Sequence, residues 1–150
     1  MANFDRALFR DIRKAGIGVI RDSNEQAIAS LSKQARLPFS SEIVEAMAAA
    51  RALSFVQDHG FTSFILEGDS ANVINTLNSE EMSLCTYGLI LSSAKSMVVA
   101  SNCVSFSHVC HSRNSVAHNL AKHARHVTSF SVWTENVPPH LNSVFLADHG

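Results

Sequence analysis

The phrase Glu67-Gly68-Asp69-Ser70 follows the apolar run Phe64-Ile65-Leu66, which delivers an acid at a strand-to-helix junction. Two more isolated acids lie upstream, Asp5 in a strand-like stretch and Glu45 in an alanine-rich run. Hard divalent cations prefer carboxylate oxygens. An aspartate, a glutamate and a second aspartate supplied by separate elements could therefore hold metal and serve phosphodiester hydrolysis. Each acid also has an ordinary reading. Asp69 could simply complement a helix dipole, and Glu45 could be a solvent-facing glutamate. Asp5 has the stronger claim, because an acid within an apolar strand is costly unless paired or metal-bound.

Further polar groups could serve such a site. His108, His111, His118, His123 and His126 interleave with Arg113, Lys122 and Arg125 late in the chain. This is either a local nucleic-acid contact or a solvated helix face. A zinc site using Cys110 with His108-x-x-His111 or His123-x-x-His126 is a third option, although His118 and His123 are five apart and do not share a helix face. Gly16 and Gly18 would let a phosphate or sugar approach the backbone closely, and a tight turn into a strand explains them equally well. Asn72, just after Asp69, and Arg113 complete the candidates for substrate binding.

The elements that must position these groups are legible. Asn3-Phe4-Asp5-Arg6-Ala7-Leu8-Phe9, Ile17-Gly18-Val19-Ile20-Arg21 and Ala27-Ile28-Ala29-Ser30-Leu31-Ser32 read as a three-strand meander turning at Asp22-Ser23-Asn24 and ending before Pro38. Ser40 or Ser41 can cap a helix that runs to His59 through a stretch of high helix propensity, and Gly60 ends it. Phe61 through Leu66 reads as a central parallel strand covered on both faces. Ser70 caps a short helix whose Val73, Ile74 and Leu77 share a face, closed by Asn78-Ser79-Glu80-Glu81. A helix from about Thr86 to Ser101 turns Ile90, Ala94, Met97 and Val98 inward, and Cys103-Val104-Ser105-Phe106-Ser107 alternates as a strand. The last helix starts near Asn114, with Ala117, Leu120, Ala121 and Ala124 on a narrow buried stripe. Val137-Pro138-Pro139 marks an irregular tail. The order βββ-α-β-α-α-β-α predicts a mixed sheet with helices on its faces.

A length of 150 residues, 46% hydrophobic, suits one domain spanning 1–150, with its core at about 2–127 and a tail at 128–150. No run is long and apolar enough to span a membrane. Three cysteines without CxxC spacing suggest reduced thiols in an intracellular compartment, nucleus or cytoplasm. A net charge of −1 lacks a broad basic surface, so any nucleic-acid contact must be local.

The order of these phrases resembles the ribonuclease H family, specifically the plant reverse-transcriptase-like branch derived from retroelements. The pieces that carry the resemblance are Asn3-Phe4-Asp5, the stretch from Lys14 through Asn24, Val44-Glu45-Ala46, Glu67-Gly68-Asp69-Ser70 and the stretch from His108 through Ala121. The tail Val132-Trp133-Thr134-Glu135-Asn136-Val137-Pro138-Pro139 also looks like the end of that branch. The resemblance implies an α/β fold with a five-stranded mixed sheet in the order 3-2-1-4-5 and helices on both faces. It implies hydrolysis of the RNA strand of RNA–DNA hybrids with two Mg²⁺ ions, for which Mn²⁺ could substitute.

On the same resemblance, Asp5, Glu45 and Asp69 match three of the family's metal-holding acids, and His108 matches a loop histidine that assists proton transfer or product release. His118 stands where the family's fourth acid belongs. A neutral imidazole is a poor Mg²⁺ ligand and suits Zn²⁺ or other transition metals better. Arg6 replaces the glycine that usually follows the first aspartate, and Glu25 replaces a turn glycine. The Gly16 to Asp22 phrase is one residue short, which would flip the faces beyond it unless a bulge or loop absorbs the change. These departures keep a second reading open, a catalytically weak or inactive nucleic-acid-binding module of retroelement origin.

Overall fold

A computed structural model of the chain describes residues 1–23, 26–37, 40–58, 63–80, 85–99, 103–127, 129–134, 138–141 and 144. The expectations for Asn24, Glu25, Pro38, His59 and Gly60 lie outside the described residues, as does the Glu135 to Val137 part of the tail. Among the described residues, six strands form one sheet: β1 (Ala2–Phe9), β2 (Lys14–Ser23), β3 (Gln26–Arg36), β4 (Ser63–Gly68), β5 (Cys103–His108) and β6 (Phe130–Thr134). Their order is β5-β4-β1-β2-β3-β6. The β1, β2 and β3 meander is antiparallel, whereas β4 pairs parallel with both β1 and β5. The expected five-strand order holds, and β6 extends it beyond β3.

That sixth strand corrects the reading of residues 128–150 as a tail outside the core. Phe130 and Val132 point to solvent, while Trp133 packs with Ile20, Val116 and Leu120. Apolar side chains on both faces of an edge strand obscure the alternation that would have revealed it.

Helices α1 (Ser41–Asp58), α2 (Ala71–Asn78) and α3 (Thr86–Val99) share a core with the sheet residues Phe4, Val19, Leu31 and Leu66. Ser40 Oγ accepts from Ile43 N at 3.3 Å and so caps α1. Ser70 Oγ caps α2 through Val73 N at 3.4 Å. Alanines 46, 48, 49 and 52 are buried, and these small side chains let α1 lie close to its neighbours. Helix α4 (Ser115–His123) packs on β1, β2 and β3 from the other face.

The two expected apolar faces of β4 reduce to one. Phe64 and Leu66 are buried in the α1 core, but Ile65 is 42% exposed, because the cover on its side comes from α4, which lies over β1 to β3. Met97, expected inward, is 67% exposed; Leu91 and Val98 supply the buried stripe of α3.

Candidate metal centre

Asp5 lies in the middle of β1 and is only 2% exposed. One of its carboxylate oxygens accepts from the backbone N–H of Arg6 at 2.8 Å, and the other lies 3.0 Å from His118 Nδ1. Burial raises its pKa above the ordinary carboxylate value. The Arg6 N–H opposes that rise, and the charge of Asp69 adds to it.

Consecutive strand residues face opposite sides of a sheet, so Arg6 points away from Asp5 toward α1. There its Nε lies 3.2 Å from Glu45 Oε1. Glu45 is 6% exposed, and burial pushes its pKa from 4.5 to about 8, with the Asp5 charge adding and Arg6 opposing. Its Oε2 is buried and has no hydrogen-bond partner among the described residues. The bulky cation that stands in place of a glycine is therefore the partner of the second acid.

Asp69 follows the end of β4, where the chain leaves the sheet before Ser70 starts α2. Its Oδ2 lies 2.8 Å from His111 Nδ1, and its main-chain oxygen lies 3.1 Å from His108 Nε2. One oxygen from each of Asp5, Glu45 and Asp69 falls within 4.8 Å of the others. Three hard donors, one of them a buried carboxylate oxygen without a partner, fit a divalent cation.

His118 reaches Asp5 because α4 sinks onto the sheet at two glycines. Gly18 pairs with Asp5 and Gly16 with Ala7 in the β1–β2 ladder. A Cβ on Gly18 would stand 2.1 Å from the carbonyl oxygen of Ala117, and one on Gly16 would stand 2.0 Å from that of Ala121. Both glycines are buried beneath α4, so their small size has a packing reason and the expected phosphate or sugar contact is not needed to explain them. Gly16 also lies within β2, not in a turn before it. The β2–β3 register shifts between Arg21 and Asp22, beyond both glycines.

Asn114 fixes the other end of α4. Its buried side chain donates to the main-chain oxygen of Phe4 at 2.9 Å and accepts from Asn3 Nδ2 at 3.1 Å; that same amide nitrogen lies 3.1 Å from Glu67 Oε2. The sequence reading took Asn114 as a helix start and His111 only as half of a zinc pair. The signal it passed over is the spacing of His111, Asn114 and His118, which are three and four residues apart and so fall on one helical face.

Among the described residues, the groups close enough to share a metal are Asp5 with Glu45 and Asp69, and Asp5 with His111 and His118. Neither includes His108, His123, His126 or Cys110. Asn72 is exposed on the first turn of α2, and Arg113 is exposed in the 3-10 turn His111–Arg113. Of the other late cations, Arg125 is engaged by Asp11. Cys85 and Cys110 are exposed.

The profile of the reverse transcriptase-like family matches residues 3–124, which carry all three acids and His118. The chain belongs to the reverse transcriptase-like family. Solved structures place this reverse transcriptase-like domain in the ribonuclease H fold. Ribonuclease H1 from Halobacterium salinarum superposes with a TM-score of 0.73 at 22% identity, covering 83% of this chain and 96% of that one. The N-terminal ribonuclease H domain of a Mycobacterium tuberculosis protein gives 0.69 at 17% identity, over 82% and 91%. A ribonuclease H1 isolated from compost, in complex with an RNA/DNA hybrid, gives 0.65 at 19% identity, over 81% and 92%. No curated protein sequence matches the domain.

Proposed function

We propose that this domain hydrolyses the RNA strand of RNA–DNA hybrids in a metal-dependent reaction, with Mg²⁺ as the natural cation and Mn²⁺ as a substitute. The observation that carries the reading is the convergence of Asp5, Glu45 and Asp69 from β1, α1 and the end of β4. When bound, divalent cations polarise the phosphoryl oxygen and generate a nucleophile from water at neutral pH. The chain's own residues supply the rest. Asp5 offers a carboxylate held in place by Arg6 N–H and His118. Glu45 keeps one buried oxygen that meets no hydrogen-bond partner in good geometry among the described residues, and a cation would take over the charge compensation that a proton provides up to about pH 8. His111 orients Asp69 through its carboxylate. Exposed His108, tethered to the Asp69 main chain, is placed to move protons at the solvent edge.

Two contacts favour a second reading. Arg6 on Glu45 and His118 on Asp5 compensate two of the acids without metal, which suits a nucleic-acid-binding module that does not cleave. A single experiment separates the two. Hybrid binding is measured by fluorescence anisotropy and cleavage of the same labelled hybrid is followed in Mg²⁺ and in Mn²⁺, with Asp69→Asn as comparison. Cleavage lost in Asp69→Asn while binding persists supports the enzyme. Saturated binding without cleavage by the natural chain in either metal leaves the binding module.

A further inference from the structure

Asp5 belongs to two ligand sets of different chemistry. Beside the three carboxylates, one donor atom from each of Asp5, His111 and His118 lies within 4.8 Å of the others. We propose that this second set is a site for a transition-metal cation of the Zn²⁺ or Co²⁺ type. It shares its location with the proposed hydrolase site, and its binding chemistry does not depend on that reading.

Imidazole nitrogen ranks well above water or carbonyl oxygen as a donor to zinc, cobalt and nickel, whereas magnesium favours carboxylates. Two histidines and one carboxylate are a donor set that binds zinc with a coordination position left open. The two rings are presented together by construction. His118 N donates to Asn114 O at 3.0 Å, and Asn114 N donates to His111 O at 3.0 Å, which stacks the pair along one face. Asn114 is anchored to Phe4, the residue before Asp5, so the pair is indexed to the third donor through one buried side chain. The ring centroids lie 4.8 Å apart with planes at 72°. Asp69, outside this set, holds His111 Nδ1 at 2.8 Å, and a carboxylate on one ring nitrogen is the usual means of orienting a metal-binding imidazole. His111 is exposed, which leaves a path for the ion.

The test is Co²⁺ titration of the intact chain without Mg²⁺, read by visible absorption and by calorimetry. The natural chain is expected to develop ligand-field bands at one equivalent. His111→Ala and His118→Ala each weaken binding by at least about tenfold, with folding verified by circular dichroism. His123→Ala, in the separate ring cluster with Trp133 and His140, leaves affinity and spectrum unchanged. Equal Co²⁺ affinity in the natural chain and the His111→Ala and His118→Ala variants overturns the proposal, as does loss of the bands in His123→Ala. Hybrid cleavage is not measured, so failure here leaves the proposed hydrolase standing, and failure of cleavage in Mg²⁺ leaves this site standing.

Discussion

Glu45→Gln should stabilise the metal-free protein, and only at high pH. The folded-state pKa of Glu45 is raised from 4.5 to about 8, chiefly by burial. A raised carboxylate pKa means that the native state holds a proton which the unfolded chain has released, so the contribution is fully present below about pH 4.5 and is lost as pH rises through about 8. At about 1.4 kcal/mol per unit, the charged carboxylate costs on the order of 5 kcal/mol at pH 9. Arg6 is only 3.2 Å away, yet its charge offsets part of the rise rather than all of it. Glutamine keeps the shape and removes the charge. In a domain of this size about 1 kcal/mol moves Tm by roughly 2–4 °C, so thermal melts in chelator should place Glu45→Gln about 10–20 °C above the natural chain at pH 9. The two should coincide at pH 4 and diverge steadily as pH rises. Adding Mg²⁺ at pH 8 should raise Tm of the natural chain and leave Glu45→Gln nearly unmoved. Parallel pH profiles for the two proteins, or a lower Tm for Glu45→Gln at pH 9, would refute the assignment of Glu45 as a buried acid whose charge Arg6 offsets only in part.

Gly18→Ala forces a Cβ to within 2.1 Å of the Ala117 carbonyl. It should destabilise the fold by about 1–3 kcal/mol, seen as a lower urea midpoint, and should separate His118 from Asp5, seen as displaced His118 ring resonances in the NMR spectrum. Asn114→Ala strands the buried Phe4 carbonyl and should cost about 1–3 kcal/mol in the same assay. His118→Asp places a fourth carboxylate beside Asp5. A unit charge at ~4 Å is worth about 4 kcal/mol at an effective dielectric of 20, so Mg²⁺ affinity by calorimetry should rise at least about tenfold; an unchanged affinity would show that position 118 does not face the cation.

What could be read from the sequence was what rests on local pattern and on single costly residues. The succession of strands and helices along the chain, the Ser40 and Ser70 caps and the buried stripe of Ala117, Leu120, Ala121 and Ala124 follow from periodicity and capping chemistry, whereas the spatial order of the strands came from the family resemblance. Asp5 stood out because an acid inside an apolar strand needs a partner, and it has one. The misses are all tertiary. Gly16 and Gly18 read either as ligand-facing backbone or as a tight entry into a strand, whereas the contact that demands glycine comes from α4, a hundred residues later. Phe64-Ile65-Leu66 could not reveal that α4 lies over β1 to β3 and leaves Ile65 exposed. Arg6 read only as a departure from the family's glycine, because its partner Glu45 lies on another element. The pairing of His111 with Asp69 bridges 42 positions that no local pattern connects.

The most direct measurement is single-turnover cleavage of an RNA–DNA hybrid labelled on each strand in turn, in Mg²⁺, by the natural chain and by Asp5→Asn. The account predicts cuts in the RNA strand alone, none in duplex DNA, and at least a hundredfold loss in Asp5→Asn at unchanged hybrid affinity, about 2.7 kcal/mol of transition-state stabilisation. Cleavage that persists in Asp5→Asn, or that falls on the DNA strand, would contradict it.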